Sequence, residues 1–276
     1  ANTLGGADEA SEGGAAIDGT WSEDVGADGA GSTTVEFGGD NYALGDDIDT
    51  GSGTLTVNTD GTWTFVADTN VSPDDFSFEL VTTDSDNDEA RSTHTVSVVD
   101  GDGPTPGDSD GEGQTLSLTL ADAATEDGAT DSTSGQLSFT AGSDDITGFA
   151  FGASTPTVSG LDGTLSWSTD GDGNLIGRLD GADVLKLSLN GGTIAAQQSG
   201  TVTVTAELLG ALPHDVNVDA LSIDGLEVIA SDADGDSATG TVDVTVTDAQ
   251  PANTLGGADE ASEGGAAIDG TWSEDV

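Results

Sequence analysis

Two stretches of alternating aspartate carry the most chemistry in this sequence: Asp84, Asp86 and Asp88 in DSDND, and Asp232, Asp234 and Asp236 in DADGD. Ca2+ takes about six to eight oxygens, and a tight turn with an acid at every second place can aim several carboxylates at one point. These are not EF-hands. Glycine falls at the fourth place of the second stretch, Asn87 stands there in the first, and neither carries Glu at position twelve. The same letters also favour a plain hairpin turn for backbone reasons alone, so both readings stand at this level. Asp100 and Asp102 follow one valine-rich run, and Asp248 follows another. Glu12 and Glu126 come early in their segments, where an acid can reach across to a junction and complete a shell. Asp170, Asp172 and Asn174 alternate in the same way, but the glycines between them read first as a turn.

The charge asks for a cation as well. There are 53 acids against Arg91, Arg178 and Lys186, a formal net charge of −50. A surface of one sign repels itself, and it argues against nucleic acid and anionic membranes as partners. High salt would screen it loosely, with a Debye length of about 3 Å at 1 M; Ca2+ held by carboxylates would do so specifically. No cysteine exists to form a disulfide or a thiolate metal site. No apolar run approaches the roughly 18 residues of a membrane span, so direct membrane insertion is not expected.

Catalysis has little to work with. His94 and His214 are the two histidines and lie far apart in the chain, and no GxSxG, HExxH, phosphate-loop or dinucleotide pattern occurs. The expectation is a protein that is not an enzyme. Trp63 and Trp167 sit inside alternating runs, where a core role outweighs sugar stacking.

The elements that must position the acids are strands. Period-2 alternation recurs at 33–37, 54–57, 62–66, 76–81, 93–99, 115–120, 136–139, 164–167, 184–189, 201–208, 226–229 and 239–246, with Gly, Asp and Asn clusters between. Apolar residues alternating with Thr, Ser or acids are how a half-buried antiparallel strand reads. The expected fold class is all-β, as two tandem Ig-like β-sandwich domains end to end. Residues 252–276 repeat residues 1–25 letter for letter, so the step from position 1 to position 252 sets a period of 251 residues. An internal echo divides that period. GTLTVNTDG (53–61) matches GTLSWSTDG (163–171), and DSDNDEARSTHTVSVVD (84–100) matches DADGDSATGTVDVTVTD (232–248). The growing offset implies extra residues in the second unit, between the TDG turn and the aspartate turn. Glu126 is read as the counterpart of Glu12. Domains are expected at 1–103 and 104–251, with 252–276 opening the next repeat. Arrays of large repeats are built for reach, and each copy touches mainly its neighbours.

The segment DADGDSATGTVDVTVTDAQP (232–251), preceded by ALPH and LSIDGLEV, resembles the closing strands of repeat domains in giant bacterial adhesins exported by type I secretion, the RTX adhesins with Ig-like or cadherin-like extender domains. DSDNDEARSTHTVSVVDGDGP looks like a divergent version of the same ending. The resemblance implies a stalk on the outer surface of a Gram-negative bacterium, with Ca2+ near domain junctions and a role in adhesion or biofilm formation. It implies neighbouring repeats of the same chain as partners, with matrix or surface polysaccharide met through other domains. The glycine-rich nonapeptide roll of RTX proteins is missing here. Two other readings stand beside it: a polysaccharide-binding module, and a structural subunit of a surface layer or matrix filament.

Overall fold

Alternation becomes pleat in a computed structural model that describes residues 2–25, 29–249, 252–257 and 270–275. In the run from Phe76 to Leu80 the apolar side chains point inward and Ser77 and Glu79 point away. The first sandwich uses Thr3–Gly6 (β1), Glu9–Ser11 (β2), Ile17–Ser22 (β3), Ala30–Phe37 (β4), Asp40–Ala43 (β5), Asp47–Asp49 (β6), Gly53–Val57 (β7), Thr62–Ala67 (β8), Asp74–Asp84 (β9) and Glu89–Val99 (β10). One sheet runs β1-β3-β8-β7-β6 and the other β2-β10-β9-β4-β5. Trp63, Phe65, Phe78 and Leu80 are buried between them. His94 closes that core, its ring 5.0 Å from Trp63 and its Nε2 3.0 Å from the Ala7 carbonyl.

The second sandwich uses Thr105–Pro106 (β11), Thr115–Ala121 (β12), a 3-10 turn at Asp122–Gly128, Asp131–Thr140 (β13), Gly148–Phe151 (β14), Thr157–Ser159 (β15), Ser166–Thr169 (β16), Leu175–Leu179 (β17), Ala182–Gly191 (β18), Ser199–Leu208 (β19), Ala220–Ser231 (β20) and Ser237–Thr247 (β21). Its sheets run β11-β13-β19-β18-β17-β16 and β12-β21-β20-β14, with β15 also on β20. The protein is thus all-β, two tandem Ig-like sandwiches with separate apolar cores. Ala252–Gly257 (β22) and Gly270–Asp275 (β23) follow as a two-stranded pair. Leu255 faces Trp272 there as Leu4 faces Trp21 in the first sandwich, so the repeated letters keep the repeated register.

Every alternating run lies in a strand except 164–167, of which only Ser166 and Trp167 do, and the two sandwiches share a plan: β2 and β12 pair in parallel with the last strands β10 and β21. The TDG echo is not positional. GTLSWSTDG holds β16 and the start of its turn into β17 at the sheet's far edge, while the place held by β7–β8 in the first sandwich goes to β18–β19. That match is a repeated turn, and the second unit's sheet carries one further edge strand, β16. Trp63 is fully buried, whereas Trp167 is half-buried against the second core.

Candidate metal centre between the sandwiches

A parallel strand pair that ends in register sets two side chains side by side at one end of a sandwich. Ser11 faces Val99, so Glu12 and Asp100 leave β2 and β10 together. The chain from Asp100 to Gly103 then crosses to the second sandwich, where the Asp102 carbonyl accepts the Ser143 N–H at 2.7 Å and its hydroxyl at 3.2 Å. Gly142 is required at that crossing, because a Cβ there would stand 1.7 Å from the Asp102 oxygen. Further bonds tie the sandwiches: Asn70 N–H to the Ser143 carbonyl, Asp145 N–H to Asn70 Oδ1 at 2.8 Å, and Gln197 Nε2 to the Gly13 carbonyl at 2.6 Å.

The crossing delivers Asp144 to Glu12 and Asp100, with one carboxylate oxygen from each inside 4.8 Å of the others. Glu12 is 3% exposed and Asp144 7%. The tip of the β20–β21 hairpin closes the group. Asp234 reaches hydrogen-bonding contact with Asp100 and Asp232, and Asp236 Oδ2 lies against Gly103.

So many acids in one place strain their ionisation. Burial first, then the charge of Glu12, pushes the Asp144 carboxyl up to about 6. Burial and the hydrogen bond with Asp234 push Asp232 up to about 6. Asp100 is raised by burial and then by Asp234. Asp234 is lowered, held as the anion by Asp232. One atom is left over: Glu12 Oε1 accepts the Val71 N–H at 2.7 Å, but Oε2 is buried with no hydrogen-bond partner. An orphaned buried acceptor costs about 1–3 kcal/mol or more. A hard divalent cation answers both problems, since it takes oxygen ligands of this kind and neutralises them together. The donor set fits Ca2+: Glu12, Asp100, Asp144 and the tip of the DADGD turn would hold it.

Sequence reasoning named Glu12, Asp100, Asp232, Asp234 and Asp236 but missed Asp144, which stands in a loop with no strand rhythm. Asp102 contributes its carbonyl to Ser143, and its side chain is not part of the grouped carboxylates. Asp84, Asp86 and Asp88 come within 4.8 Å of one another at the opposite end of the first sandwich. There the turn accounts for much of the geometry: Asp84 Oδ1 accepts the N–H groups of Asp86 and Asp88, and Asn87 takes the left-handed conformation at φ 73°. The same closure appears at Asp108–Glu112 and Asp170–Asn174, so alternating acids are a turn device before they are a ligand set. Glu126 falls in the 3-10 turn, and its side chain lies outside the described residues. Ala121 faces Thr247 in the β12–β21 register, so the counterpart of Glu12 is Asp122, beside Asp248, and not Glu126.

No family model matches the chain, and no curated protein matches it. Solved structures of similar outline include the Ca2+-stabilized adhesin that helps an Antarctic bacterium reach out and bind ice. It is 20% identical, with 94% of this chain and 51% of that chain covered and a TM-score of 0.25. A tetra-tandem repeat in the extending region of a large adhesion protein is 15% identical over 99% of this chain and 55% of that chain, with a TM-score of 0.24. The fibronectin(III)-like modules of Clostridium thermocellum CbhA are 11% identical over 90% of this chain and 95% of that chain, with a TM-score of 0.25. Nothing of their function transfers at such scores.

Proposed function

We propose that this chain is a repetitive extender segment of a secreted bacterial adhesin, stiffened by Ca2+ and projecting a distal binding region. The observation that carries the reading is the acidic cage between the sandwiches, with the buried, unpartnered Glu12 Oε2 inside it. A letter-perfect repeat supports an array, with domains at 1–103 and 104–251 and the next copy opening at 252. Neighbouring copies are the partners, and the Asp84–Asp88 turn would meet the preceding copy. Secretion by a Gram-negative bacterium through the type I route, and a role in biofilm, rest on the resemblance of 232–251. No helix among the described residues is long and apolar enough to cross a membrane. The role is mechanical, with no catalytic step.

Calcium supplies charge neutralisation and a link between segments. Glu12 and Asp100 belong to one sandwich, Asp144 and the DADGD turn to the other, so an ion shared by them resists bending at the crossing. A site filled to about 100 times its Kd adds roughly 2.7 kcal/mol, which is absent at low calcium. The chain would then stay loose before export and set outside. Calorimetric titration with Ca2+ tests this: binding that disappears in Glu12→Gln is expected, and no binding to the parent chain would remove the reading.

A further inference from the structure

The far end of the second sandwich repeats the strand geometry of the first with different chemistry. Asp122 follows β12 and Asp248 follows β21, side by side as Glu12 and Asp100 are. Between them stands His214, from the loop that joins β19 to β20. Its side chain is 4% exposed and that of Asp122 5%, while Asp248 is 34% exposed. His214 Nδ1 lies 3.4 Å from Asp122 Oδ2 and 3.6 Å from Asp248 Oδ1. Nε2 lies 3.1 Å from the Val246 carbonyl, which accepts its N–H in the tautomer that leaves Nδ1 open to a metal on the side of the two carboxylates. The Leu212 carbonyl adds a third oxygen at 2.9 Å from Nδ1. Three oxygens around Nδ1 favour positive charge at that point, supplied either by a ring proton or by a metal ion.

We propose that Asp122, His214 and Asp248 form a binding site for a divalent transition metal, Zn2+ in the first place, with Nδ1 as the nitrogen ligand. Bonds of about 2.0–2.1 Å in a tetrahedral site set ligand atoms roughly 3.3–3.4 Å apart, close to the spacings from Nδ1 to the two carboxylates. An imidazole with only two carboxylates suits Zn2+, whereas Ca2+ wants about six to eight oxygens. A surface cavity lined by Thr125, Pro213 and Ala249 opens onto the three side chains and gives an ion a path in. Asp122 also has reason to accept one: burial raises its carboxyl, against the lowering contacts of Leu212 and His214. The site shares no residue with the cage at Glu12 and does not depend on the calcium reading.

The test is calorimetric titration of the chelator-stripped full chain with Zn2+ in saturating Ca2+, followed by visible spectroscopy of the Co2+ form. One Zn2+ per chain and the intense bands of tetrahedral Co2+ are expected. His214→Gln and, at the half-exposed position, Asp248→Asn should each weaken Zn2+ at least about 10-fold, with Ca2+ binding unchanged. His94→Gln, at the other histidine, should change neither. Absence of Zn2+ binding, displacement of Zn2+ by Ca2+, or binding that survives His214→Gln in a folded variant would overturn the proposal. So would nitrogen NMR showing both ring nitrogens of His214 still protonated in excess Zn2+, because a proton would then be the charge that fills the ring of oxygens.

Discussion

The two sandwich ends are built on the same parallel strand pair and differ in what meets it. At the first, Glu12 and Asp100 meet more acid from the next sandwich, Asp144 and the DADGD turn. At the second, Asp122 and Asp248 meet His214 from their own sandwich. The first end lacks an internal cation and must find one outside; the second carries a nitrogen base already in place. The strand plan fixes where a pair of acids stands, and the loop that faces it decides which ion the pair can hold. One strand plan therefore presents different ligand chemistry at its two ends.

The largest effect that would sharpen this contrast is removal of calcium. Chelation should lower the melting temperature by the equivalent of about 2–3 kcal/mol per emptied site. NaCl at matched ionic strength should not restore it; full restoration by NaCl would mean that the charge is merely screened. Next is Glu12→Gln against Asp122→Asn. The first should abolish or strongly weaken the Ca2+ site and the second should leave it intact, as read by calorimetry; equal losses would erase the distinction between the ends.

Gly142→Ala follows, at about 1–3 kcal/mol, because the added methyl meets the Asp102 carbonyl and must push the crossing away. Thermal melts would show that loss together with weaker calcium affinity. The pH dependence is smaller. Asp144 and Asp232 titrate near 6 in the folded chain against an ordinary 3.8, so without cation they favour folding at low pH. That contribution is complete below about pH 4 and is lost as pH rises through about 6. In chelator the melting temperature should fall over that window, and Asp144→Asn should flatten the fall; an unchanged slope would show that the general charge governs it. Smallest is Asp86→Ala, in an exposed turn closed by Asp84, which should leave melting and calcium stoichiometry at the Glu12 cage unchanged.

Much of the fold was legible because burial on one face imposes a two-residue rhythm, as in Phe76, Phe78 and Leu80. β2, β11 and β15 are too short to show a rhythm, and β17 begins with consecutive buried residues. The candidate site was half legible. Glu12 and Asp100 could be suspected from their places after strands, and the DADGD turn from its spacing. Asp144 owes its role to a crossing that brings residues 12, 100 and 144 together, which no local pattern encodes. Asp122 carries a signal of its own: it directly follows its strand, as Asp248 follows the last one, and strand ends are a better guide than the matching of Glu126 to Glu12. The TDG echo misled for the opposite reason, since a turn can recur wherever a hairpin does.

The central claim is that calcium locks the first sandwich to the second through Glu12, Asp100 and Asp144. The chain has no cysteine, so Thr54→Cys and Thr201→Cys, both exposed and one on each sandwich, can carry a unique pair of spin labels. Pulsed electron resonance should give a narrow distance distribution in Ca2+ and a broad one in chelator. Adding Glu12→Gln should keep it broad even with Ca2+ present. Distributions of equal width in all three conditions would contradict the claim, and the crossing would then be held by the hydrogen bonds of Asn70, Asp102 and Gln197 alone.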